Sequence, residues 1–192
     1  MIQLQHLGFE YTRLGRLWDL SRHFAFENTK VMLLERFPES LISDSSAGGA
    51  PSEEYAHRSR SHSGKFTVEI TASVRCGVDL EAARDADESW SIESPMFQKA
   101  ILAHGEYEQV LQSRHVMHPY LETLIWSSKE ALSKTLGDAT KYEPSQLASP
   151  LTWPDGKSAK WQALHIDLLT ETGEMFVVWV VVEKTFSRNQ EH

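Results

Sequence analysis

The chain has 192 residues, 41% of them hydrophobic, which is enough to bury the core of one medium domain or two small lobes. Acidic residues outnumber basic ones by 27 to 19 and the formal net charge is -8, so no nucleic-acid partner is expected, since that would want a basic face. The sole cysteine, Cys76, excludes an internal disulfide framework and fits a reducing, cytoplasmic setting; "MIQLQHLGFEYTR" at the start lacks a signal peptide's apolar core, and no apolar run reaches membrane-spanning length, so no membrane partner is expected.

In chain order, "LGRLWDLSRHFAF" (14–26) has helix-like spacing, and "KVMLLERF" (30–37) suits a helix or a strand. "DSSAGGAPSEE" (44–54), with its small residues, two glycines and a proline, reads as a linker. It divides an N-terminal lobe, 1–56, from a C-terminal lobe, 57–186, followed by a tail, 187–192. "FTVEITASV" (66–74) alternates apolar and polar residues and predicts a half-buried strand. "CGVDLE" (76–81) follows closely and is expected to pair with it as a hairpin. An acidic loop, "EAARDADESWSIES", comes next. "PMFQKAILAHGEYEQVLQ" (95–112) reads as one helix with Pro95 in its first turn, and "HPYLETLIWSSKEALSKTLG" (118–137) as a second, opened by Pro119 and closed by Gly137. A long loop follows. "WQALHIDLL" and "EMFVVWVVVEK" then predict two strands joined by the turn "TETG". The fold class is α+β.

Two local patterns carry chemistry. Asp79 and Glu81 are separated by one residue on a strand, so both side chains point the same way. In the second helix, Leu121, Leu124, Ile125, Ser128, Leu132 and Leu136 fall on one stripe, the expected core face. Trp126, Glu130 and Lys134 recur every fourth residue on roughly the opposite side. Asp79 and Glu81 alone are compatible with solvated strand charges, and Glu130 and Lys134 with a surface ion pair. If the strand and the helix converge, the three carboxylates suit a hard cation such as Mg²⁺, which completes its shell with water and phosphate oxygens, and Lys134 suits a phosphate as a point charge. The histidines, including His115, His118 and His165, show no metal-ligand spacing. "HVMH" reads as loop, and Cys76, Trp153, Trp161 and Trp179 as packing residues.

The order of "SHS" (61–63), "GVDLE" (77–81) and "WSSKEALSK" (126–134) resembles the 4'-phosphopantetheinyl transferase superfamily, and "HGEYEQV" is similar to its intermediate segment, with Glu106 in the acidic place. The resemblance covers about 57–137 and, more loosely, the closing strands. It implies a family-like antiparallel sheet packed with helices, in the larger, pseudo-duplicated form with a shortened first lobe, which favours a monomer over a trimer. The implied activity is a holo-[acyl-carrier-protein] synthase reaction. The phosphopantetheine arm of coenzyme A moves to a serine of an apo acyl or peptidyl carrier protein, Mg²⁺-dependently, and adenosine 3',5'-bisphosphate leaves. Asp79, Glu81 and Glu130 would hold Mg²⁺. Glu130 and Lys134 would be catalytic. Ser61, His62, Lys129 and Lys134 would contact coenzyme A, His62 at the nucleotide's phosphate. Trp126 would wall the cleft, Arg13 and Arg16 are candidate coenzyme contacts, and Arg58, Arg60, Lys65 and Arg75 are candidates for docking the carrier. The shortened first lobe leaves a second reading open, a protein that binds coenzyme A or carrier without transfer.

Overall fold

The structure is a computed structural model that describes residues 13–14, 17–24, 26–35, 55–137, 143–170 and 172–185. The linker at 44–54, Arg16 and the tail lie outside the described residues. The N-terminal elements are β1 (Arg13–Leu14), β2 (Leu17–Asp19), the one-turn helix α1 (Ser21–Phe24) and β3 (Thr29–Glu35). They are followed by β4 (His57–Ser63), β5 (Phe66–Ala72) and β6 (Cys76–Ala82). Helices α2 (Pro95–Ile101), α3 (Glu106–Leu111) and α4 (Leu121–Leu136) come next, and β7 (Trp161–Leu169) and β8 (Met175–Glu183) close the fold.

Among the described residues the strands form two antiparallel sheets, ordered β1-β2-β3-β5-β4 and β6-β8-β7. The first sheet takes strands from both sides of residue 56. The expected hairpin between "FTVEITASV" and "CGVDLE" does not form. Both edges of β5 are taken, by β3 and β4, so the chain crosses at 73–75 into the other sheet, where β6 pairs with β8 about a hundred residues later. The stretch expected to be helical at 14–26 contains β2 and only one turn of helix, because Leu17–Asp19 pairs with β3. The single helix expected over 95–112 is two. Gly105 takes a left-handed φ of 73° between them, and the backbone N–H of Ala103 donates to the Glu106 carboxylate at 2.6 Å, ending one helix and starting the next.

β8 explains the layering. Its run "MFVVWVVVE" is buried on both faces. Phe176, Val178, Val180 and Val182 join Val31, Leu33, Val68, Ile70, Val78 and Leu80 in a core between the two sheets. Val177, Trp179 and Val181 join Phe97, Val110, Leu124, Ile125 and Leu132 in a second core under the helices. A strand sandwiched in this way has no polar face to alternate. No described helix is long and apolar enough to cross a membrane.

Two contacts position the site. The first is between the sheets. β6 is an edge strand, and its outward N–H groups need acceptors. Strand β4 supplies them from a serine face: the N–H of Val78 donates to Ser59 Oγ at 3.2 Å and that of Ala82 to Ser63 Oγ at 3.1 Å. The second is between β6 and α4. A Cβ on Gly77 would lie 2.1 Å from the Ala131 carbonyl oxygen and 2.3 Å from Thr135 Oγ1, so only glycine lets the helix approach this closely.

Candidate functional site

Asp79 and Glu81 share the face of β6 that meets α4. Asp79 is 2% exposed, and three side chains from two other elements satisfy it. Ser61, from the serine face of β4, donates to Oδ1 at 2.8 Å. Lys134 Nζ donates to the same oxygen at 2.6 Å and to Ser61 Oγ at 3.1 Å. Ser127 donates to Oδ2 at 2.8 Å. A buried carboxylate held by an ammonium and two hydroxyls is a fixed anchor, because each bond to it is charge-assisted.

Glu81 is less enclosed. Trp126 Nε1 donates to its Oε1 at 3.4 Å. Burial, then the Asp79 charge, push its carboxyl up to about 7; the Trp126 N–H and Lys134 oppose this, and Glu130 adds to it. Along α4 from Leu121 to Thr135 only Trp126, Glu130 and Lys134 are partly exposed, while the rest of that span is buried. The stripe opposite the core is the open side, as its four-residue spacing predicts. Leu136, expected on the core face, is 40% exposed.

Behind Trp126 the acidic loop closes a wall. The Trp90 ring stands edge-on to Trp126 at 6.2 Å, and the Arg84 guanidinium lies over Trp90 at 5.1 Å. The loop is pinned to α4 by its own backbone: the N–H of Ile92 donates to Glu122 Oε1 at 2.7 Å, and that of Arg84 to Thr123 Oγ1 at 3.1 Å.

Asp79 faces the Lys134 ammonium, and Glu81 shares its face of the strand. The repulsion from Asp79 that helps raise Glu81 is what a divalent cation offsets, and the carboxylates offer oxygen donors. That set suits Mg²⁺.

The remaining candidate residues lie outside this group. Lys129, expected at the coenzyme, is instead enclosed with no exposed surface: its Nζ donates to Glu106 Oε2 at 2.5 Å, to the Ile101 carbonyl at 2.6 Å and to the Pro144 carbonyl at 3.1 Å. Burial pushes its ammonium below the usual value, against the pull of the Glu106 charge. Glu106 also accepts from the Ser149 N–H, so this pair braces α3 and the following loop against α4. His62 is exposed and lies on the opposite face of β4 from Ser61, beside Arg58 and Arg60, which share Glu69 across the strand pair. Arg13 falls on β1. Cys76 is buried, with burial pushing its thiol up to about 12, as suits a packing residue.

Sequence reasoning missed Ser127, whose signal was only its place three residues before Glu130. It also missed a histidine cluster. His165 and Asp167 on β7 meet His118 from the loop before α4, with His118 Nε2 2.9 Å from Asp167 Oδ2. His115 stands edge-on to His165 at 5.0 Å. Burial pushes His165 down to about 4.

A sequence model of the ACPS family, the 4'-phosphopantetheinyl transferase superfamily, matches residues 75–171, just over half of the chain. No curated protein matches the chain.

Proposed function

The chain belongs to the 4'-phosphopantetheinyl transferase superfamily, and from that premise we propose that it moves the phosphopantetheine arm of coenzyme A to a serine of an apo acyl or peptidyl carrier protein. Mg²⁺ is the proposed cofactor and adenosine 3',5'-bisphosphate the second product. One observation supports the reading: residues of three separate motifs are joined where β4, β6 and α4 meet, Ser61 and Lys134 to Asp79 and Trp126 to Glu81.

In this reading Asp79, Glu81 and Glu130 would hold Mg²⁺, which would supply charge neutralisation at the coenzyme's diphosphate. Asp79 is the pre-set ligand, because Ser61 and Ser127 fix its orientation. Lys134, whose side chain is 19% exposed, is poised to turn its Nζ from Asp79 towards the phosphoryl group under attack. The carrier's serine oxygen forms a bond to that phosphorus as the bond to adenosine bisphosphate breaks. The serine's proton must go to a base, and Glu130 is the chain's own candidate. Positioning and charge neutralisation account for the rest of the rate. The nucleotide's phosphate is proposed to lie on the outer face of β4, where His62 adjoins Arg58 and Arg60.

Mass spectrometry tests the reaction. Apo carrier proteins from fatty-acid, polyketide and peptide synthesis are incubated with the chain, coenzyme A and Mg²⁺. At least one is expected to gain one phosphopantetheine arm; a panel left wholly unmodified would refute transfer. The enclosure of Lys129 with Glu106, which removes one implied coenzyme contact, favours one second reading: binding of coenzyme A or carrier protein without transfer. Saturable binding of coenzyme A together with an unmodified panel would select it.

A further inference from the structure

We infer that His118, His165 and Asp167 form a second metal site, selective for a borderline transition-metal dication of the Zn²⁺ type and separate from the carboxylate group of β6 and α4. One ligand atom from each of the three residues lies within 4.8 Å of the other two. Tetrahedral zinc with bonds near 2.0–2.1 Å holds its ligand atoms about 3.3 Å apart. The His118–Asp167 pair, at 2.9 Å, is already inside that spacing. Reaching that spacing from at most 4.8 Å takes up to about 1.5 Å of side-chain motion.

Secondary structure sets up the cluster. His165 and Asp167 are two apart on β7 and so share a face, the one that meets the helices. The loop from α3 to α4 lays His118 over them. All three residues are partly buried, so the site is sheltered but open enough for an ion and one water. Two imidazole nitrogens with one carboxylate suit Zn²⁺, Co²⁺ or Ni²⁺; Mg²⁺ prefers oxygen throughout. The donor chemistry therefore separates this site from the carboxylate group on the same sheet. In strand register, His165 stands opposite Trp179 and Trp179 opposite Asp79, so the indole lies between the two groups. His165 packs on it at 4.8 Å.

Two contacts work against the ion. Arg114, which donates to His115 Nε2 at 3.1 Å, brings a like charge near the cluster. The Tyr120 N–H donates to His118 Nδ1 at 3.1 Å, which places the ring proton on Nε2, facing Asp167. A cation at Nε2 moves that proton to Nδ1 and so breaks the Tyr120 contact. Tyr120 directly precedes α4, so ion binding is felt where the helix begins.

Metal-stripped full-length protein is titrated with Co²⁺, whose visible absorption reports nitrogen ligands and low coordination number, and then with competing Zn²⁺. One Co²⁺ per chain is expected to give that spectrum, to be displaced by Zn²⁺ and not by Mg²⁺, and to shift the Tyr120 amide resonance. His118→Gln and Asp167→Asn should each weaken binding by at least ~10-fold. His118→Gln changes a loop residue, so it keeps the test alive if a strand variant fails to fold. Asp79→Asn should leave the spectrum unchanged. The site is refuted if the native chain gives no such spectrum, if the spectrum survives both cluster variants at full affinity, or if Asp79→Asn removes it.

Discussion

Replacing Glu81 by glutamine should make the protein more stable at pH 8 while removing a proposed metal ligand. In the folded chain the Glu81 carboxyl is pushed from an ordinary 4.5 up to about 7 by burial and by the Asp79 charge. Between those two values the folded chain keeps a proton that the unfolded chain has released. Stability therefore falls as pH rises through that window. At ~1.4 kcal/mol per pH unit, the full displacement corresponds to roughly 3 kcal/mol, and partial exposure of the side chain to water brings the effect to about 1.5 kcal/mol. Glutamine is nearly isosteric, keeps an acceptor for Trp126 Nε1 and carries no charge. The assay is urea unfolding of both proteins with divalent ions chelated, at pH 4.5 and pH 8. Glu81→Gln should match the native chain at the lower pH and exceed it by about 1.5 kcal/mol at the higher. Saturating Mg²⁺ should reverse the order at pH 8, because only the native chain gains binding free energy. A variant equally or less stable at pH 8 without metal would refute the reasoning that Glu81 is held in a repulsive site.

The same displaced carboxyl gives a pH dependence: Mg²⁺ affinity, followed by calorimetry, should rise with pH up to about 7 and then level off, by up to ~10-fold per pH unit below that point, because the ion must displace the Glu81 proton. Gly77→Ala should destabilise the fold by about 1–3 kcal/mol or more and suppress transfer, since a Cβ 2.1 Å from the Ala131 carbonyl oxygen must drive α4 off β6, drawing Ser127 and Lys134 from Asp79; thermal unfolding and arm transfer measure both. Lys129→Met should cost about 3–5 kcal/mol in urea unfolding by leaving Glu106 buried and unpaired. The double variant Lys129→Met, Glu106→Gln should be less destabilised than that single change.

The parts of this protein that follow a simple period were legible in its sequence. The alternation of β5, the Gly137 stop of α4 with most of its core stripe, and the hairpin of β7 and β8 appear where the pattern places them, while α4 starts at Leu121 rather than Pro119. The meeting of Lys134 with Asp79 was suggested by family motifs more than by periodicity. The failures have physical causes. β4 reads "HRSRSHS", with no apolar residue to mark it as a strand, because its inner face is serine and bonds to the edge of β6. The partner of β6 lies at the far end of the chain, and proximity in sequence favoured β5 instead. Lys129 sits one position from Glu130 yet turns to the other side of the helix, where Glu106 stabilises its charge in the interior. His118 is 47 residues from His165, so only the packing of the loop on β7 brings them together.

The initial rate of arm transfer to an apo carrier protein, compared between the native chain and Glu130→Ala at saturating coenzyme A and Mg²⁺, tests the central claim most directly. A native rate that disappears on chelating Mg²⁺ and falls at least ~100-fold in the variant is the expected result. Equal rates in the two proteins, or a native rate indifferent to Mg²⁺, would contradict the assignment of Asp79, Glu81 and Glu130 as a metal-holding group.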